Sequence, residues 1–280
     1  MRRLRLSGQR KMMLWFFDRP SNDPYVSLTM DVDARPALEF LAAFEREHAT
    51  RAGVQHLVTA AVARCLHDIP ALNVKVYGDS IWQLDKVDVA VPVRLDGDGH
   101  ATDQTGMVVL HEVDRLSLAD IARMTRERSR SERKDGLTTF GSALVRKLVA
   151  AAPQRAARAA LDVVGSVLQS SVGARLLPHV ARVSTGVTNV GAVFKMPDGA
   201  RFRAASMTVP SKLGPMASVF ALAPVCDAPI AREGRVEVGP VLPVVMTVDH
   251  RAIDGYLMAK LGERLAAAVL APELLVAAAR

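Results

Sequence analysis

Alternation of apolar and polar positions comes first in the chain at Tyr25 to Val32, where Val26, Leu28, Met30 and Val32 alternate with polar Ser27, Thr29 and Asp31, the period of a half-buried strand. Pro36 to Glu47 then places Leu38, Leu41, Ala42 and Phe44 at helical spacing. A second helix is predicted from Val54 to His67, ended by Ile69-Pro70. Val74 to Val76 and Ser80 to Leu84 flank Gly78-Asp79, a hairpin turn. Val87 to Val93 reads as a strand, Asp96 to Gly106 as a loop and Met107 to Leu110 as a strand. Ser117 to Arg128 reads as a helix capped by Ser117, with Asp120 three residues on. From Arg130 to Arg182 two or three short amphipathic helices are expected, broken at Pro153 and Gly165. Strands return at Val183 to Val190, Phe202 to Val209, Val219 to Ala223, Val236 to Val238 and Val241 to Val248. Tyr256 to Leu270 closes the pattern as a helix.

Helices and strands in this order, without strict βαβ alternation, predict an α/β (α+β) two-layer sandwich: one mixed β-sheet covered by helices. The 280 residues fit one large α/β domain or two small ones, and a single domain, residues 1–280, is expected, with 129–182 helical and basic. No Gly-x-Gly-x-x-Gly or Walker-type loop occurs, which disfavours a nucleotide fold.

Composition narrows the function classes. Hydrophobic residues make up 50% of the chain and charged ones 23%, a core-forming balance rather than a disordered one. The 36 Lys and Arg against 29 Asp and Glu give a net charge of +7, which attracts anions in general. Aromatic residues are only 5%, and no reading motif is present, so nucleic acid is disfavoured as a partner. Cys65 and Cys226 form no disulfide framework and no metal-ligand pair, and a reduced cytoplasmic location is the expectation. No secretory signal is visible. The longest run free of charge, Leu213 to Cys226, is too short to span a bilayer.

The sharpest local chemistry is Val241 to Gly255. A buried-looking strand delivers Asp249-His250-Arg251 at its end, and Asp254-Gly255 leads into the last helix. A histidine held at a strand end has a pKa suited to general base catalysis at neutral pH. On the residues alone, a lone histidine beside Asp and Arg is more often a structural hydrogen-bonding residue than a catalyst, and Asp254 reads as a simple helix cap.

His250 to Gly255, HRAIDG, resembles the His-Arg-x-x-Asp-Gly motif of the acyltransferase catalytic domains of 2-oxo-acid dehydrogenase complexes, the dihydrolipoamide acyltransferases of the chloramphenicol acetyltransferase-like superfamily. Other stretches match in order. Leu6 to Lys11 resembles the Leu-Ser-x-x-Arg-Lys opening of these domains, and Ser27 to Asp33 their first strand. Pro70 to Val74 resembles their Pro-x-x-Asn-x turn, Val87 to Val93 the strand after it, and Val187 to Gly191 their Ser-Asn-x-Gly strand.

The resemblance implies direct acyl transfer between a coenzyme A or pantetheine/lipoyl-type thioester and a small-molecule or carrier-bound acceptor, with no acyl-enzyme. It implies His250 as the general base and Thr188, in place of the family's serine, as the hydroxyl that stabilises the tetrahedral oxyanion. Asp254 would pair with Arg10 and hold the backbone of the site, with Asn189, Arg251 and Gly255 as further support. The implied cosubstrate is coenzyme A or acyl-CoA. No metal and no covalently attached lipoate are expected. The implied assembly is a homotrimer or a multiple of it, with the histidine of one subunit facing the Ser/Thr strand of its neighbour. The alternative is a non-catalytic structural or regulatory subunit on the same trimeric scaffold.

Three features depart from the family. No lipoyl or subunit-binding domain stands ahead of the catalytic region, so a lipoyl arm in cis is not expected. Leu95 to Leu110 replaces a conserved channel stretch, implying a different acceptor. The segment leading to the Ser-Asn strand is lengthened to Ser129–Arg182 and is basic, with six Lys/Arg against two Glu in Arg123 to Lys134. It reads as a lid for a bulky or fatty acyl group, a partner-docking element, a membrane-surface element or a merely solvated face.

Overall fold

The computed structural model describes residues 24–77, 80–94, 105–135, 147–149, 151–168, 170, 183–192, 196–197, 200–203 and 216–276. Within them nine strands and five α-helices run in the order β1 (Tyr25–Asp33), α1 (Arg35–His48), α2 (Val54–Asp68), β2 (Val74–Tyr77), β3 (Ser80–Gln83), β4 (Val89–Arg94), β5 (Thr105–Leu110), α3 (Leu118–Asp135), α4 (Gln154–Leu168), β6 (Thr185–Asn189), β7 (Ser218–Leu222), β8 (Cys226–Arg232), β9 (Arg235–Asp249) and α5 (Gly255–Leu270).

Seven strands build one mixed sheet in the order β1-β9-β7-β6-β4-β5, with β8 pairing β9; β2 and β3 form a separate hairpin. Strand β9 is its spine. Its inner half pairs antiparallel with β1 on one side, from Asp33↔Val241 to Tyr25↔Asp249. On the other side it pairs with β7, from Leu222↔Val244 to Ser218↔Val248. Strands β7, β6 and β4 then run parallel to one another. The sheet is mixed because β4 to β6 and β6 to β7 are long crossovers, whereas β4–β5 and β8–β9 are direct returns.

One sheet face carries Val187, Phe220, Leu222, Val244, Met246 and Val248. These are buried against Leu57, Val58, Leu66, Leu261 and Leu265 from α2 and α5, in the core that Phe44 of α1 and Ile121 of α3 also enter. Burying side chains of this size contributes about 1.5–3 kcal/mol each, so this seam dominates stability. Alternation sends Thr188, Ala221 and Val245 to the opposite face.

Several boundaries differ from the sequence expectation. The strands read at Val236 to Val238 and Val241 to Val248 are one strand of 15 residues. Gly239-Pro240 reads as a break, yet Pro240 faces Asp227 within the β8 ladder. Strand β8 is absent from the sequence reading because Pro229 interrupts it; among the described residues it pairs only with β9, where a missing amide is tolerated. Glu233 and Gly234 both have positive φ, the geometry of a two-residue hairpin turn, and Arg232 faces Arg235 across it. Helix α3 runs on to Asp135, and α4 continues through Gly165, which is buried rather than a break. Of the strand read at Phe202 to Val209, 202–203 have no regular structure and 204–209 lie outside the described residues, as does the Gly78-Asp79 turn.

Candidate active site

Strand β9 ends at Asp249, and His250 follows it directly. The His250 amide donates to the Pro24 carbonyl (2.8 Å), tying the turn to the start of β1. The residue is exposed, and its ring has no hydrogen-bond partner among the described residues. Asp249 is held differently: its carboxylate is 1% exposed and accepts three bonds from Arg251. They come from the backbone amide at 3.1 Å, Nε at 2.9 Å and Nη2 at 2.6 Å. This fork raises the Arg251 pKa through its hydrogen bonds to Asp249. The Asp249 amide donates to Ala217 (2.9 Å), and Ala252 and Ile253 donate to the Asp249 carbonyl. Ile253 is fully buried. The histidine backbone is thus clamped on both sides while its ring stays free to meet a ligand.

Asp254 is exposed and caps α5: its Oδ1 accepts from Leu257 N at 2.9 Å. Gly255 opens the helix, and nothing lies within 4 Å of where its Cβ would stand. Arg10, the implied partner of Asp254, lies outside the described residues.

Thr188 and Asn189 end β6, both half-buried. Pairing with β4 covers only Thr185 and Gly186, so β6 leaves that neighbour before Thr188. On the helix side, Gln55 Nε2 donates to the Val187 carbonyl at 3.3 Å, a side chain of α2 bonding the backbone just ahead of Thr188. Among the described residues the Thr188 hydroxyl has no hydrogen-bond partner.

Asn189 lines a pocket of about 290 Å³ with Val54, Gly191, Leu222, Ala223, Pro224, Val225 and Leu242. A Cβ at Gly191 would stand 2.6 Å from Pro224 N and 2.7 Å from Pro224 Cα, so this wall closes only on glycine. Sequence reading passed over Gln55 and the Leu222–Val225 wall; both act through positions set by the sheet, which no local motif reports.

The sheet separates the two candidate catalytic groups. Thr188 pairs with Ala221, and Ala221 with Val245, five residues short of His250. At about 3.3 Å per residue and 4.8 Å per strand, His250 and Thr188 of one chain stand roughly 19 Å apart. General base and oxyanion donor act on one reacting group at hydrogen-bond range, so a single chain does not bring them together. Asn73, buried on the hairpin side, holds the carbonyls of Leu84 and Lys86 and accepts from Ser184 Oγ (2.6 Å), fixing the approach to β6. Beside it, burial pushes the Lys75 ammonium down to about 7, and Nζ donates to the Val183 carbonyl. Among the described residues no group of three or more His, Cys, Asp or Glu could hold a metal. Of the Leu95–Leu110 stretch, residues 95–104 lie outside the described residues.

The family model of the 2-oxoacid dehydrogenases acyltransferase (catalytic domain) matches residues 1–140 and 205–277. His250 to Gly255 lie inside this match; Thr188 and Asn189 lie in the unmatched interval. The chain is 24% identical over 231 residues to the dihydrolipoyllysine-residue succinyltransferase component of the 2-oxoglutarate dehydrogenase complex of Escherichia coli K12, covering 80% of this chain and 43% of that protein. The Haemophilus influenzae counterpart is 22% identical over 214 residues, covering 76% and 39%. The chain therefore spans less than half the length of these curated relatives. Among solved structures, Azotobacter vinelandii dihydrolipoamide acetyltransferase superposes with a TM-score of 0.69 at 16% identity, covering 98% of this chain and 93% of that one. A probable dihydrolipoamide acetyltransferase from Listeria monocytogenes superposes with a TM-score of 0.66 at 17% identity, covering 96% and 94%.

Proposed function

The chain belongs to the 2-oxoacid dehydrogenase acyltransferase (catalytic domain) family, and from that premise we propose that it transfers an acyl group directly between a coenzyme A or pantetheine/lipoyl-type thioester and an acceptor, with His250 as base. The observation that carries the reading is His250 itself: an exposed ring on a backbone clamped by Pro24 and by the Asp249–Arg251 fork, within the matched family region.

The neutral imidazole takes the proton of the incoming thiol or hydroxyl. The resulting anion attacks the acyl carbonyl and forms a tetrahedral adduct. The adduct collapses, expels the outgoing thiolate and returns the proton to it from the imidazolium. A free thiol has a pKa of about 8.5 and is mostly protonated at pH 7, so a positioned base contributes about a hundred- to ten-thousandfold. The Thr188 hydroxyl donates to the oxyanion, a contribution of about 2–4 kcal/mol to the barrier for a well-placed donor. Asp254 supports the turn from the helix cap, and the net charge of +7 suits a polyphosphorylated cosubstrate.

The separation of His250 and Thr188 within one chain supports a cyclic assembly, a homotrimer or a multiple of it, in which each site takes His250 from one copy and Thr188 from the next. His250→Ala is expected to lower transfer from acyl-CoA by at least about a hundredfold and to leave the oligomer mass unchanged. Mixing His250→Ala with Thr188→Ala chains is expected to restore part of the activity, because some sites regain both groups. Full activity in His250→Ala ends the assignment. A wild-type protein that binds no thioester by calorimetry supports a non-catalytic scaffold subunit instead.

A further inference from the structure

Helix α4 leaves its apolar face uncovered. Ala157 and Gly165 are buried and Leu161 is half-buried, which sets its covered side. Beside it, Ala156, Ala160, Val163, Val164 and Val167 follow the i, i+4, i+7, i+8, i+11 spacing of one stripe, and all are exposed. Val163 is 67% exposed, Val164 49% and Val167 45%; Leu148, in the preceding helical turn, is 61% exposed. A contiguous apolar stripe of this kind marks a surface that meets another surface.

The charge around the stripe selects what it meets. On α4 and in the helical turn just ahead of it the described charged side chains are Lys147, Arg155, Arg158 and Asp162, with Arg158 4.0 Å from Asp162. Lys147, Arg155 and Arg158 are exposed. A second copy of this face would set the same positive charge against itself. A nucleic acid would answer the charge and leave the valines in water. An anionic lipid surface answers both: the apolar stripe enters the boundary between headgroups and acyl chains, and the cations meet the phosphates. No helix among the described residues is long and apolar enough to cross a membrane, so α4 would lie in the interface plane.

We propose that α4 docks this protein on membranes that carry anionic lipid. The inference is independent of acyl transfer, since the stripe contains no residue assigned to that site. The test is co-sedimentation of the full chain with vesicles of equal parts phosphatidylcholine and phosphatidylglycerol, or of phosphatidylcholine alone. Wild type is expected to bind the anionic vesicles, at least about tenfold more weakly in high salt or on the neutral vesicles. Val163→Asp/Val167→Asp is expected to lose about tenfold or more in partitioning, because it removes two inserted apolar groups and adds two repelled charges. Lys147→Glu/Arg155→Glu is expected to weaken binding as well, with circular dichroism and melting unchanged in both variants. Absent wild-type binding, or binding that survives both double variants, overturns the proposal. So does a drop in oligomer mass in Val163→Asp/Val167→Asp, which would make the stripe a contact between copies.

Discussion

Replacing Arg251 with methionine tests whether the Asp249–Arg251 fork holds the turn that carries His250. Methionine keeps an unbranched stem and removes only the guanidinium. Asp249 then retains one of its three hydrogen bonds, the one from the Arg251 backbone amide, on a carboxylate that is 1% exposed. Breaking a fully buried pair by removing one partner destabilises by about 3–5 kcal/mol. Here the Arg251 side chain is 47% exposed, so water already screens the pair and reaches the vacated space. That discount brings the expected loss to about 1–3 kcal/mol. For a chain of this size it corresponds to a drop in Tm of very roughly 2–10 °C, read by circular dichroism on heating. The paired variant Arg251→Met/Asp249→Asn removes the stranded charge and is expected to recover part of the loss. A Tm within a degree of wild type for Arg251→Met would refute the reasoning. So would a double variant that adds a second, independent loss, since the two side chains would then not act as a unit.

Two further changes probe the surroundings. Gly191→Ala forces a Cβ into the Pro224 backbone and is expected to cost about 1–3 kcal/mol, seen as a lower urea midpoint at unchanged slope. His56 has a pKa lowered to about 4 by burial and by Arg126, and in its neutral form it accepts the Gly53 amide through Nδ1. The unfolded chain therefore takes up a proton near pH 6.5 that the folded chain refuses until about pH 4, so stability falls as pH falls through that window. His56→Gln is expected to lose less stability than wild type between pH 6.5 and 4, and equal losses in urea titrations would contradict the assignment.

Much of the sheet was legible in single strands: β1 from its alternation, β4 and β7 from short runs containing valine between breaks in the pattern. Strand β8 was not, since Pro229 interrupts a largely exposed run whose pairing, among the described residues, comes from β9. The 15-residue run of β9 was read as two pieces because Gly239-Pro240 breaks local periodicity, while the sheet carries the chain straight through. Gly165 misled in the other direction, as burial rather than propensity decides its place in α4. At the site, His250 and Asp254 stood out as a short motif. The hold of Gln55 on Val187 was invisible, because it exists only where β6 parts from β4.

Strand β9 is paired on both flanks along its inner half and ends in a two-stranded hairpin at its outer half. Backbone amides from Val244 to Val248 therefore open to solvent only when the whole sheet does, and they set the slowest hydrogen-exchange class of the molecule. The Arg232–Arg235 tip frays first. The His250 ring thus hangs from the last segment to melt, and partial unfolding that begins at the tip leaves it in place.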